Sequence, residues 1–389
     1  MSFRRRNLGL SASTNKDQGD QSSKAPLSAA PGVRPSPIDG RPTTSTGTAS
    51  LDGLLAGHAG LPLGTSLLVE ENGTTDYAGV LLRYFAAEGL VQGHHVHVLG
   101  LREKWGWELP GLVGGAEKEE KSQRAEDRMK IAWRYERLGQ FEGGDSSSRD
   151  PVHSRTGISD SGQARSQPFC HVFDLTKKLE HLPDANISFL KVSPHPERSP
   201  FSPILEQLHT ILADSPNTSI HRLVVPGLLS PQIYPPHSSL PHNVLPFLQG
   251  VRVLLAAYPA RLAAVITLPL SLFPRNLGLV RWMELLSDGV IELTPFPHSS
   301  DEDLAAPKPP PGESASYEEP PQGFLNVHRL PIFHERGGGS SAVGENWAFT
   351  LSRRKFTIKP YSLPPIEGDT EVQQTRPAGQ QPKKSDMEF

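Results

Sequence analysis

Short apolar runs at residues 66–69, 95–99, 223–225, 263–267 and 289–293 alternate with amphipathic stretches at 77–88, 245–258 and 277–286. A strand wet on one face alternates apolar with polar residues, so continuous runs of this length fit strands covered on both faces. Strands and helices in alternation predict an α/β fold with a mainly parallel central sheet flanked by helices. The later segments 323–330 and 347–358 do alternate apolar with polar residues. They are expected to close the sheet as an antiparallel hairpin with one wet face.

The pattern is broken where Pro, Gly, Ser and charge concentrate; the chain carries 38 Pro and 35 Gly in 389 residues. Residues 1–33 have no period and cannot repay the entropy of ordering, so they read as a disordered tail. The same composition at 114–127, 142–167 and 298–321 reads as disordered insertions, and 366–389 as a second tail. One domain over 34–365 is expected. A formal charge of −3 supplies no basic field for collecting phosphates, so any contact with nucleic acid must rest on local patches. The single Cys170 cannot form an internal disulfide and is expected to be a small buried thiol. No apolar stretch approaches the roughly 18 residues of a membrane span, and cytoplasm and nucleus are the expected compartments.

The segment 46–88 carries the most chemical information. Thr46-Gly47, then Ser50-Leu51-Asp52 with Leu54-Leu55, then Gly60-Leu61-Pro62-Leu63-Gly64-Thr65 lead into the strand at 66–69. This order resembles the entry to the first core strand of RecA-like ATPases, which implies a RecA-like P-loop-type fold. An intact phosphate loop needs glycines for close backbone approach, a Lys for the β/γ oxygens and a hydroxyl for Mg²⁺. Here those eight positions are Glu70, Glu71, Asn72, Gly73, Thr74, Thr75, Asp76 and Tyr77. Three carboxylates thus fall where phosphates would go, and like charges at about 4 Å repel by several kcal/mol at an effective dielectric near 20. The strand at 222–225, which would end in a Mg²⁺-holding Asp, runs into Pro226-Gly227-Leu228. Both Walker motifs are therefore degenerate, no cofactor is expected, and the loop is expected to serve as a subunit interface.

Further motifs narrow the resemblance: Lys104-Trp105-Gly106-Trp107, Met129-Lys130-Ile131-Ala132-Trp133, Phe169-Cys170-His171, Leu228-Leu229-Ser230-Pro231 and Arg353-Arg354-Lys355-Phe356. In this order they resemble the family of fourth subunits of the Elongator complex, over about residues 34–366. That resemblance implies a non-catalytic accessory subunit joining the fifth and sixth subunits in a hetero-hexameric ring. It implies that the ring binds tRNA and works with the catalytic Elongator subcomplex in modifying the wobble uridine (U34). Two alternatives stand beside it: an active RecA-like ATPase with a non-standard nucleotide loop, and a pure scaffold without RNA contact.

Two basic groups are candidates for RNA contact. Lys130, Arg134 and Arg137 share one face of a helix through 129–138, and Arg353, Arg354 and Lys355 lie in the final hairpin. The competing readings are a solvated helix face and a charged strand edge. His94, His95 and His97 invite a metal reading, but only His95 and His97 face one way on a strand and no further ligand joins them. No metal and no catalytic constellation is expected.

Overall fold

The computed structural model of the chain describes residues 30–55, 59–113, 168–180, 186–297, 319–331 and 346–361. A small antiparallel sheet opens the fold: β1 (Val33–Pro35), β2 (Pro42–Thr44) and β3 (Leu61–Pro62), with α1 (Ala49–Leu54) between the last two. Next come β4 (Ser66–Glu71), α2 (Tyr77–Val91) and β5 (His95–Leu99). A 3₁₀ turn at Glu103–Glu108 leads to the antiparallel pair β6 (Pro110–Leu112) and β7 (Phe173–Lys178). The chain continues through β8 (Ile187–Leu190), α3 (Ser202–Asp214), β9 (His221–Val225), α4 (Pro241–Ala257), β10 (Leu262–Pro269), α5 (Gly278–Leu286) and β11 (Gly289–Pro295). It ends in β12 (Gly323–Arg329), β13 (Trp347–Leu351) and β14 (Phe356–Pro360).

Nine strands make the main sheet in the order β14-β13-β12-β11-β4-β10-β9-β5-β8. From β11 to β8 every neighbouring pair is parallel, and β12, β13 and β14 add antiparallel strands at one edge. The strand β4 lies mid-sheet, so the loop that follows it opens at the centre of the carboxyl ends. That is where open α/β sheets bind ligands. Helix α2 covers one face, packing Leu81, Leu82 and Phe85 against Leu67, Val69 and Val265. Helices α3, α4 and α5 cover the other, with Leu208, Phe247 and Met283 packed towards Leu68, Val225 and Ile266. Covering on both faces explains why the strands from β4 to β10 read as continuous apolar runs. This is the α/β fold with a mainly parallel central sheet, flanked by helices and closed by antiparallel strands, that the sequence led us to expect.

Four expectations need correction. The strand read at 66–69 runs on through Glu71, because Glu70 and Glu71 pair with Glu292 and Leu293 of β11. The segment 347–358 is itself a hairpin, β13 and β14, turned at Ser352–Lys355, so the sheet closes with three antiparallel strands rather than one two-stranded unit. The fold begins before residue 34: Val33 pairs with Thr44, and the Pro31 carbonyl accepts from His94 Nε2 at 2.8 Å. Cys170 is half-buried, with its thiol pushed up to about 12 by burial. The insertions read at 114–127 and 142–167, most of that at 298–321, and the tail at 366–389 lie outside the described residues. Among the described residues no helix is long and apolar enough to cross a membrane.

A fully buried arginine ties these layers together. From β9, Arg222 donates to His94 Nδ1 (3.0 Å), to the carbonyls of Ser45 and Phe85 (2.9 Å each), to Thr44 Oγ1 (2.7 Å) and to Gln92 Oε1 (3.1 Å). Its guanidinium lies 4.6 Å from the Phe85 ring centre. A Cβ at Gly89 of α2 would come 2.6 Å from Arg222 Cδ, so the helix interior carries a glycine at the point where the arginine passes. A methionine at 222 keeps an unbranched apolar stem but orphans these acceptors. Arg222→Met is expected to lower the unfolding free energy by about 3–5 kcal/mol in urea denaturation, far more than Arg252→Met on the exposed face of α4.

Buried histidines set the acid limit. His97 Nε2 and His221 Nδ1 are 3.0 Å apart, and Ser188 bonds His97 Nδ1 at 2.6 Å. Burial, aided by the neighbouring His95, holds His97 down to about 4. Burial, then His97 and His95, holds His221 down to about 3, and burial with Arg222 does the same to His94. A histidine with a lowered folded pKa binds its proton more readily when unfolded. Its contribution is therefore complete above pH 6.5 and lost as pH falls below it. Stability should drop by about 1.4 kcal/mol per pH unit for each such histidine between pH 6.5 and 4, and His97→Gln should flatten the slope.

Candidate functional site

The two glutamates that end β4 point to opposite faces, because successive strand side chains alternate. Glu71 follows Leu67 and Val69 towards α2, whereas Glu70 follows Leu68 towards α5. The three carboxylates read as crowding one phosphate position are therefore separated.

Glu71 occupies the anion position itself. Its Oε1 accepts from the Tyr77 backbone N–H at 2.9 Å and from the Thr75 hydroxyl at 2.7 Å, and its Oε2 accepts from the Ala78 N–H at 2.8 Å. Tyr77 and Ala78 open α2, and the free N–H groups of a helix start are the donors a phosphate would use. Burial pushes the Glu71 carboxyl up from its ordinary value, while the bonds from Ala78, Thr75 and Tyr77 pull the other way. The expected repulsion gives way to an internal bond: a carboxylate of the chain caps the helix.

The other substitutions complete the change. Asp76, at the lysine position, pairs with Arg83 of α2 at 3.1 Å. Tyr77, at the Mg²⁺-hydroxyl position, turns into the core and meets Phe349 of β13 edge to face, with ring centres 4.8 Å apart. Asn72 donates its backbone N–H to Leu293 and its side-chain amide to Glu292 Oε1. Gly73 and Thr74 form the exposed bend of the loop. At the end of β9 the Pro226 carbonyl accepts from Tyr234 Oη (2.8 Å), and Gly227 N–H donates to Thr267 Oγ1 (2.6 Å). A turn fixed this way has no carboxylate to offer a metal ion. Between these walls lies a cleft of about 510 Å³, with Leu101, Trp105, Ile233 and Leu272 as its apolar lining and Glu71, Asp76 and Arg83 as its charges.

On the opposite face Glu70 is fully buried. Burial, then Glu284, pushes its carboxyl up to about 8, with Arg275 opposing. Glu292 of β11 accepts from His328 Nε2 at 2.6 Å, and that bond chiefly holds its carboxyl below the ordinary value. Sequence reading missed this grouping, because Glu70, Glu292 and His328 come from strands more than 200 residues apart at the extremes.

The RNA candidates divide. Lys130, Arg134 and Arg137 lie outside the described residues. Arg353, Arg354 and Lys355 are exposed at the turn between β13 and β14, not along a strand edge as one reading had it. The turn is anchored by Leu175 N–H, which donates to the Arg354 carbonyl at 2.8 Å.

Residues 26–389 match the family model described as PAXNEB protein. An Elongator complex protein 4 from Schizosaccharomyces pombe is 30% identical, over 93% of this chain and 97% of its own. The chain belongs to the PAXNEB family of Elongator subunits. The Saccharomyces cerevisiae Elongator complex protein 4 is 32% identical, over 86% of this chain and 76% of its own. Among solved structures, a KaiC-like protein from Pyrococcus horikoshii covers 82% of this chain and 99% of its own, at 11% identity and a TM-score of 0.38. The fold assignment rests on the strand order above. Membership bears out the family resemblance in the sequence, and other Elongator subunits are this PAXNEB chain's partners.

The sequence did carry a sign of the cap at α2: an acidic residue ends the strand, and Thr75 stands just before the helix start. Glu71→Ala removes the cap and should cost about 1–3 kcal/mol of unfolding free energy. Millimolar sulfate should restore part of that loss in the variant and leave the wild-type midpoint unmoved.

Proposed function

We propose that this chain is a non-catalytic subunit that stands beside the fifth and sixth Elongator subunits in a hetero-hexameric ring. The ring binds tRNA and supports modification of its wobble uridine by the catalytic Elongator subcomplex. The observation that carries this reading is the Glu71 carboxylate seated on the first N–H groups of α2. A domain that fills its own anion site has no structural need of a nucleotide. Its cleft, with Trp105, Leu101, Ile233 and Leu272 on the walls, is free to receive the side chains of a neighbouring protomer. The names of the relatives support the Elongator setting.

Co-expression with the two partner subunits, followed by size-exclusion chromatography with light scattering, tests the assembly; a chain that stays monomeric there sinks it. The isolated chain should show neither Mg-ATP binding at micromolar concentration nor turnover. The exposed turn supplies the RNA test. Changing Arg353, Arg354 and Lys355 together to Glu should weaken the ring's tRNA affinity and reduce its salt slope by about 2–3. An unchanged slope would leave the chain a scaffold whose partners make the RNA contacts.

A further inference from the structure

On the α5 side of the sheet, three strands bring two carboxylates and an imidazole together. Glu70 is the last residue but one of β4, Glu292 is its register partner on β11, and His328 lies in a register shift of β12, where Val327 pairs with Ile291 but Arg329 with Val290. His328 is the extra residue of that bulge. Bulges re-aim side chains and recur beside functional sites. One oxygen from each glutamate and one ring nitrogen of His328 all lie within 4.8 Å of one another.

With Glu70 ionised, the three carboxylates of Glu70, Glu284 and Glu292 face, among the described residues, only the two arginines Arg275 and Arg281. Glu284 of α5 already holds two arginines: Arg275 Nε at 2.6 Å and Arg281 Nη1 at 2.8 Å. Arg275, committed there, comes no closer than 3.6 Å to Glu70 and 3.9 Å to Glu292. Asn72 occupies only Oε1 of Glu292, and His328 Nε2 lies 2.6 Å from Oε2. Both oxygens of Glu70 are buried with no hydrogen-bond partner among the described residues, and the side chain has 0% of its surface exposed. A buried carboxylate with no hydrogen bond, and with only an arginine at 3.6 Å that is already committed to another carboxylate, is costly to keep ionised without a further cation.

We infer that Glu70, Glu292 and His328 form a binding site for a divalent transition-metal ion, of which Zn²⁺ is the natural probe. Two carboxylates and a neutral imidazole sum to −2, which one divalent ion neutralises. Mixed oxygen and imidazole ligands suit Zn²⁺, Fe²⁺ or Mn²⁺ better than Ca²⁺, which takes oxygens alone. Tetrahedral bonds of about 2.0–2.2 Å place ligand atoms about 3.4 Å apart, so closure needs shifts of about 1 Å. The ion would replace the hydrogen that His328 shares with Glu292. The His328 ring is 24% exposed, which gives water and metal a path in and leaves a fourth position for solvent. Asn72 ties the site to the loop ahead of α2, so an ion here would stiffen the Glu71 side of the fold as well.

The full chain, stripped with EDTA and freed of any affinity tag, is titrated with Zn²⁺ by calorimetry and, separately, with Co²⁺ by visible absorption. The expected result is one Zn²⁺ per chain at micromolar affinity or tighter, a raised melting temperature, and Co²⁺ bands that show an oxygen and nitrogen ligand set. His328→Ala and Glu70→Gln should each weaken binding at least tenfold while circular dichroism stays that of the wild type. Glu70→Gln separates this from the rival occupant, a proton on Glu70. If the wild type takes up no metal and Glu70→Gln is as stable or more stable, the group is held by a proton and the metal site is overturned. Zn²⁺ binding unchanged in both variants would place the ion elsewhere and overturn it equally.

Discussion

The bond from the Glu71 carboxylate to the start of α2 decides what this domain can be. A helix start presents unpaired N–H groups and the positive end of its dipole, and in a nucleotide-binding loop these are left open for phosphate. Here they are filled from within the chain. A tethered carboxylate acts at an effective concentration in the millimolar range or above, so a nucleotide would have to displace it before gaining any contact. Displacement would also strand Glu71, a buried carboxylate, beside the incoming phosphates. The same bond therefore competes with any anion for the helix start and stabilises the helix from within the chain.

The filled site needs a rigid frame, and the buried Arg222 provides it. A guanidinium with no water around it is a liability unless all its donors are used. Its bonds reach β2, the loop before α1, α2 and the residue before β5, so several elements must be in place at once for the arginine to be satisfied. That dependence fixes the position of α2 on the sheet and with it the register between Glu71 and the Tyr77 and Ala78 N–H groups. The helix, once positioned, no longer depends on a bound phosphate for its geometry.

What the sequence made legible follows from how local each signal is. The parallel strands were readable because covering on both faces leaves continuous apolar runs, and the lost Lys and Mg²⁺ ligands were readable because they sit at fixed offsets from a strand. The alternation of Glu70 and Glu71 to opposite faces was implicit in a two-residue period. It was obscured by ending the strand at Val69, since carboxylates are poor strand residues and tertiary pairing with β11 overrode that preference. The small sheet of β1, β2 and β3 was not legible, because Pro35, Pro42 and Pro62 argue against strands unless it is known that Pro35 and Pro62 lie on edge strands and that Pro42 opens its strand. Nor was the grouping of Glu70 with Glu292 and His328, which exists only once β11 and a bulge in β12 have been placed beside β4.

At the positions where the phosphate-loop residues are replaced, the new side chains make internal contacts. A position that no longer has to approach a phosphate can carry a side chain, and a side chain there finds the partners the phosphate left. Tyr77 exchanges a metal-facing hydroxyl for an aromatic contact with Phe349 on the antiparallel edge. Asp76 exchanges a lysine's reach into the site for a pair with Arg83 on the helix surface. The walls of the old cleft become apolar at Trp105, Ile233 and Leu272, which suits contact with another protein surface better than with a polyanion. On the proposed reading, such a domain keeps the shape of its interface while any nucleotide is held by other subunits. A subunit of a larger assembly can dispense with its own nucleotide for that reason.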